Sequence, residues 1–242
     1  MPTPWRHAQL VAAVLAVAPE AFGGVVLRGA PGPAGERWLT GLRSLLPDES
    51  PWIRVPANAP EQRLCGGLDL AATLATGTAV REAGLMQRAD GGVLLLSMAE
   101  RQAPAVVAMI AASLEVAGAA AEDARFCCVA LDESLPDEAG LPAVLRERLA
   151  FELELEAVPL AALEEPFPSR AQVDAARLAL GAIDHEEATL RGLCELALGF
   201  GITSLRAPLQ AWRAARVIAA LEGCATVEEA HAVLAAGLVY AH

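Results

Sequence analysis

Two short runs in which every side chain is apolar, Val93-Leu94-Leu95-Leu96 and Phe126-Cys127-Cys128-Val129-Ala130-Leu131, constrain the fold of this chain more than any other feature. A strand with one wet face alternates apolar and polar residues, so unbroken apolar runs of this length fit strands covered on both faces, as in a parallel sheet. Each run is followed by a helical pattern, Ala103 to Leu114 after the first and Pro142 to Arg148 after the second. Upstream, helix formers from Ala8 to Val17 lead through Gly23-Gly24 into the β-type run Val25-Val26-Leu27, and apolar residues at helical spacing follow from Glu36 to Leu46. Phe151 to Val158 alternates Glu152, Glu154 and Glu156 with apolar neighbours, the period of a half-exposed edge strand. Strands alternating with helices predict a three-layer α/β domain with parallel core strands.

From about Ser169 the pattern becomes helical only: Ala171 to Leu180, Glu186 to Leu198, Leu209 to Leu221 and Val227 to Leu238. The expected organisation is an α/β domain over 1–165 and an all-helical domain over 166–242. Gly223 sits where a C′ glycine ends a helix, and Thr226 where a cap starts the next.

Between the first strand and its helix lies Gly29-Ala30-Pro31-Gly32-Pro33-Ala34-Gly35, placed like a phosphate-binding loop. An active loop of that kind reads GxxxxGK[ST]: backbone amides wrap the phosphates, a lysine neutralises them and a hydroxyl ligates Mg²⁺. Here Ala34, Gly35 and Glu36 stand at the glycine, lysine and hydroxyl positions, and all 18 basic residues of the chain are arginine. Lysine chemistry of every kind, Schiff bases included, is therefore excluded. Val93 to Leu96 has the apolar character of a Walker B strand, yet Ser97 and Met98 occupy the places of its acidic pair. Joint loss of lysine, hydroxyl and both acids predicts that this chain does not hydrolyse nucleotide. Gly29, Gly32, Gly35 and Glu36 are thus a degenerate loop, and Ser97 and Met98 a degenerate second half.

A net charge of −12 argues against nucleic acid. The five cysteines contain no CxxC pair and fit plain core thiols, and His7, His185, His231 and His242 are scattered, so no metal site is expected. The apolar stretch Leu10 to Ala18 is too short to span a bilayer and is followed by no cleavage site of small residues, which predicts a cytoplasmic protein without membrane insertion.

Three stretches resemble the AAA+ module of magnesium chelatase, in particular that of its non-hydrolysing, D-type component. Ala59-Pro60-Glu61-Gln62-Arg63-Leu64-Cys65-Gly66-Gly67-Leu68-Asp69-Leu70 is similar to the family's ATEDRVxGxLD segment, and Gly84 to Gly92 to its GLLxxAxxG lead into Walker B. Leu205-Arg206-Ala207 with Arg213 to Gly223 resembles its lid. Leu145-Arg146-Glu147-Arg148 resembles the LLDRF segment, which implies an arginine finger at Arg148 acting on a neighbour's nucleotide, and Arg206 falls at the sensor 2 position. The residues alone leave a surface or salt-bridging role open for both.

The chain departs from the family at sensor 1, where Asp132 or Glu133 replaces an asparagine, at Leu149 in place of phenylalanine, and in a short segment between Leu114 and Arg125. The resemblance implies a platform that binds no cofactor tightly itself. Its partners would be an AAA+ ATPase subunit, which uses ATP and Mg²⁺, and a large porphyrin-binding subunit, with self-association in a ring. It also implies an acidic linker and an integrin-type domain beyond this N-terminal module. Two other readings are a regulatory pseudo-ATPase scaffold of the MoxR-like AAA+ group, and an active ATPase in which Arg28 or Arg37 replaces the lysine.

Overall fold

The computed structural model describes residues 3–29, 31–68, 70–116, 124–135, 137–184 and 187–240. Ala30, Asp69, His185 and His242, and most of the segment between Leu114 and Arg125, lie outside them. The chain begins with α1 (Pro4–Val17), β1 (Gly24–Arg28), α2 (Pro33–Leu45) and β2 (Trp52–Val55). Next come α3 (Glu61–Cys65), β3 (Gly66–Leu68), α4 (Leu70–Thr76), β4 (Arg81–Ala83) and α5 (Leu85–Arg88). Then follow β5 (Val93–Leu96), α6 (Pro104–Val116), β6 (Cys127–Asp132), α7 (Ala143–Arg146) and β7 (Phe151–Glu154). The last helices are α8 (Arg170–Ala179), α9 (Glu187–Gly199), α10 (Arg206–Leu221) and α11 (Glu229–Val239).

These elements form two compact units that alternate along the chain: 1–22, 31–48 and 150–242 make one, and 23–30 with 49–149 make the other. This division differs from the consecutive one expected at 165/166, because α1 and α2 pack with α8, and α1 also with α10.

In the second unit, four strands of the sheet run parallel in the order β2-β5-β6-β1. The register pairs Gly24 with Cys128 and Arg28 with Asp132, so the C-terminal ends of β1 and β6 meet. Val93 to Leu96 and Cys127 to Ala130 are buried on both faces, as their unbroken apolar character requires. The apolar surface beneath them is closed by Val106, Val107 and Ile110 of α6 and by Leu145 of α7. Gly24 cannot be replaced without distortion: its φ is +144°, and a Cβ there would lie 1.8 Å from the Cys128 carbonyl oxygen. β2 and the small antiparallel ribbon β3-β4 were not expected from the sequence. Trp52-Ile53-Arg54-Val55 is only partly buried and too short to show a period, and the ribbon's Gly66-Gly67 carries no strand signal.

In the first unit, Thr3 caps α1 by accepting the Arg6 amide, and Pro4 fills the first helical position, where its missing N–H costs nothing. Trp38 of α2 is buried and donates its indole N–H to the Ala8 carbonyl at 2.6 Å, while Trp5 meets Phe167 edge to face. Ser169 and Gln172 form a capping box that starts α8. The face of α10 made by Ala211, Ala214, Ala215, Val217, Ile218 and Ala219 is almost wholly buried, its small side chains allowing close approach of α8, α9 and α11. The edge-strand pattern holds in Phe151–Glu154 but stops there, because the next residues turn instead of continuing to Val158. Gly223, with φ +73°, ends α10 as expected. Thr226 is not the cap of α11: it forms a bridge with Asp184, and Glu228 is the cap. No helix among the described residues is long and apolar enough to cross a membrane.

Candidate functional site

In parallel α/β sheets ligands gather beyond the C-terminal ends of the strands, so the residues that end β1, β5 and β6 are the candidate positions within the second unit. At the end of β5 the Ser97 amide donates to the Val55 carbonyl, 3.1 Å, and its own carbonyl accepts from Gln102 Nε2, 3.1 Å. Met98 follows with φ +46°, a left-handed conformation uncommon for a side chain of its size. Ser97 and Met98, neither of which carries a carboxylate, thus form a tight turn at the end of β5. Three residues beyond Ser97, however, Glu100 buries its carboxylate at the same edge, where it accepts the Glu133 amide at 3.2 Å and lies 3.3 Å from Arg101 Nε. Sequence reasoning missed Glu100, since no spacing links it to a known motif.

Asp132, one of the two residues considered for the sensor 1 place, is 3% exposed. Its Oδ1 accepts the Ser134 hydroxyl at 2.6 Å and the Ser134 amide at 3.1 Å; its Oδ2 accepts the Leu141 amide at 2.9 Å and lies 4.0 Å from Arg28 Nε. Burial by itself pushes this carboxyl up, but the Ser134 hydroxyl, the two amides and the Arg28 charge outweigh it and hold it below the usual carboxylate range. The side chain is therefore a staple that closes the acidic loop following β6. A depressed carboxyl contributes stability above its unfolded titration range, and that contribution is lost as pH falls through the folded value. Asp132→Asn should therefore flatten the loss of stability below about pH 4, measured as unfolding midpoints between pH 3 and pH 7. An unchanged acid limb would refute the assignment. Gly29 begins the glycine-rich loop by donating its amide to the Asp132 carbonyl, 3.1 Å.

The first unit holds the remainder of that loop. Gly32 is the extended cap of α2, Pro33 opens the helix, Ala34 is buried, Gly35 faces open space and Glu36 is exposed in the first turn. A helix N-terminus attracts phosphate through its free amides and the positive end of its dipole. Glu36 adds an exposed carboxylate to that first turn. The residues present do not fit a clamped Mg²⁺-nucleotide: lysine, hydroxyl and acidic pair are all replaced. The two arginines considered as substitutes are also engaged, Arg28 with Asp132, and Arg37 with the Leu163 carbonyl at 3.3 Å and the Phe167 ring at 5.1 Å.

Arg148 lies just beyond α7 with its side chain 16% exposed. Nη2 meets the Glu115 carboxylate at 3.0 Å, Nη1 donates to the Val144 carbonyl, and Nε is buried without a partner. Arg206 is the first residue of α10 and is exposed, its amide donating to Ser204 Oγ at 3.3 Å.

Two expectations need correction. His231 is not isolated: the turn between α10 and α11 brings it beside Glu222 and Cys224, the one three-residue cluster of metal-ligating type among the described residues. Its Nδ1 accepts the Glu228 amide at 2.9 Å, so the ring proton is on Nε2 and points to Glu222 at 3.1 Å. Neither nitrogen keeps a lone pair for a metal, and the cluster is a helix cap. The cysteines are also not uniformly core residues. Cys127 and Cys128 are buried, and burial pushes the Cys127 thiol up to about 12, but Cys194 and Cys224 are half-buried and Cys65 is exposed at the end of α3.

Residues 190–242 match the AAA lid domain family. The chain is 36% identical over 99% of its length to the magnesium-chelatase 60 kDa subunit of Cereibacter sphaeroides, of which it covers 41%. It is 34% identical over 95% of its length to the corresponding subunit of Rhodobacter capsulatus, of which it covers 39%. It thus spans about two fifths of these relatives. Among solved structures, a Cytophaga hutchinsonii protein assigned as an ATPase shares the fold with a TM-score of 0.68 at 16% identity, over 96% of this chain and 79% of that one. The α/β sheet, the helical lid and the match along nearly the whole length of this chain show an α/β AAA+ fold and fit an AAA+ module of the magnesium-chelatase subunits.

Proposed function

We propose that this chain is a non-hydrolysing AAA+ platform of magnesium chelatase, of the D type. It assembles with an ATPase subunit into a ring, and the partner's hydrolysis drives insertion of Mg²⁺ into protoporphyrin IX on a large porphyrin-binding subunit. The observation that carries the reading is the replacement chemistry at both halves of the nucleotide site: Glu36 at the N-terminus of α2, and the Ser97-Met98 turn at the end of β5. A hydrolytic site needs cationic and metal-bound charge to offset the phosphates, and here the added charge is negative. Similarity to 60 kDa subunits along 99% and 95% of the chain supports the same reading. In this arrangement the chain contributes through its neighbour's site, with Arg148 as the trans-acting cation and Arg206 at the lid.

The test is ATP turnover by the isolated chain, alongside co-elution with the partner ATPase subunit in size-exclusion chromatography with and without Mg²⁺ and ATP. Turnover at the no-protein background and nucleotide-dependent co-elution are expected. Steady turnover by the isolated chain, abolished by Arg37→Ala, would establish the active-ATPase alternative instead.

A further inference from the structure

Arg148 is poorly placed to act on anything outside its own unit as it stands. Its Nη groups are committed to Glu115 and to the Val144 carbonyl, and little of the side chain is accessible. The backbone beneath it is fixed. Its amide donates to the Leu145 carbonyl at 2.9 Å, and Gly23, with φ +67°, packs so closely that a Cβ there would lie 2.1 Å from the Arg148 carbonyl oxygen. Any exposure of the guanidinium must therefore come from rotation of the side chain about its own bonds, a fast motion that needs no rearrangement of the fold.

Glu115 comes from a different element. It lies one residue before the end of α6, whose body is anchored in the core by Val106, Val107 and Ile110. Its side chain remains 41% exposed. A carboxylate in the last turn of a helix faces the negative end of the dipole and gains from a nearby cation. The tucked arginine supplies that cation, but the same position leaves its Nε buried and unpaired, which disfavours the tucked state. The unpaired Nε thus offsets part of what the ion pair with Glu115 contributes to the tucked arrangement.

We infer that Glu115 is a positioning residue that holds Arg148 tucked, and that a polyanion on the neighbouring subunit competes with it for the guanidinium. This inference rests on the trans role of Arg148 proposed above. A triphosphate offers several charged oxygens in a geometry that matches the guanidinium fork, whereas Glu115 offers a single half-exposed carboxylate. Arg148 would accordingly be drawn out when the neighbour is loaded and stored when it is empty.

The experiment measures ATP turnover by the partner ATPase in complex with this full chain carrying Glu115→Gln, Arg148→Ala or both. Glu115→Gln should raise turnover by up to about fivefold, the shift expected when one partly exposed ion pair ceases to bias a two-state equilibrium. The double variant should show none of that gain. Simple structural damage lowers turnover, so a gain is a readout it cannot mimic, and Glu115→Asp should return turnover toward the wild-type value. A loss with Arg148→Ala and no change with Glu115→Gln overturns the latch and leaves the trans role standing. No change with Arg148→Ala overturns the trans role, and the latch with it. Should Arg148→Ala fail to fold, Arg148→Gln serves in its place.

Discussion

Arg148→Ala is expected to lower ATP turnover by the partner ATPase in the assembled complex by about a thousandfold, the lower end of the range attached to arginines that act on a neighbour's phosphate. Assembly, followed by co-elution, should persist. Arg148→Lys should recover little, because an ammonium is a compact point charge without the planar fork that spans two phosphate oxygens. The comparison that gives this result meaning is thermal stability. The Arg148–Glu115 pair is partly exposed, so its loss should remove only about 0.2–1 kcal/mol, visible as a small change in midpoint. A large fall in turnover with a small fall in midpoint identifies a functional arginine. A small fall in turnover would leave Arg148 as the ion-pair partner of Glu115 and nothing more.

The second large effect concerns folding. Arg177 of α8 donates from Nε and Nη2 to the Ala16 carbonyl, at 3.0 and 2.6 Å, and from Nη2 to the Leu45 carbonyl at 3.1 Å, while Nη1 pairs with Asp174. Ala16 lies in the last turn of α1, and Leu45 is the last residue of α2, so one guanidinium caps the carbonyl ends of two helices. Arg177→Ala leaves both carbonyls without this donor and should cost about 2–4 kcal/mol. For a chain of this size that is a fall of about 5–15 °C in unfolding midpoint, read by circular dichroism. Arg177→Lys should regain less than half, since three donors on one nitrogen cannot reproduce the fork. A shift within the scatter of surface substitutions, about 0.5 kcal/mol, would show that water replaces the arginine without loss.

The parts of this fold that were legible in the sequence are those where burial and period agree. Val93 to Leu96 reads as a two-face-buried strand and is one, and the helices from α8 to α11 start and stop within a few residues of their expected bounds. β2 and the β3-β4 ribbon were illegible because short, half-exposed strands leave no periodic mark. In the candidate site, the residue types at Gly35, Glu36, Ser97 and Met98 could be set against the expected motif positions from the sequence alone. Glu100, Glu115 and the His231 cap could not. Each depends on a contact between elements far apart in sequence or on which ring nitrogen meets a backbone amide. Arg148 lies between these cases: its spacing suggested a role, but only the structure shows what holds it.

The alternation of the two units along the chain bears on how such modules can be exchanged. The chain leaves the first unit after Phe22, returns at Pro31, leaves again after Asp48 and returns at Ala150. A lid swapped between relatives as a single cassette from 166 onward would leave behind α1 and α2, which pack with α8 in this chain, and the helical ends that Arg177 caps. A working chimera would have to move three separate stretches together. Recombination that respects only linear order would separate α1 and α2 from the α8 they pack with.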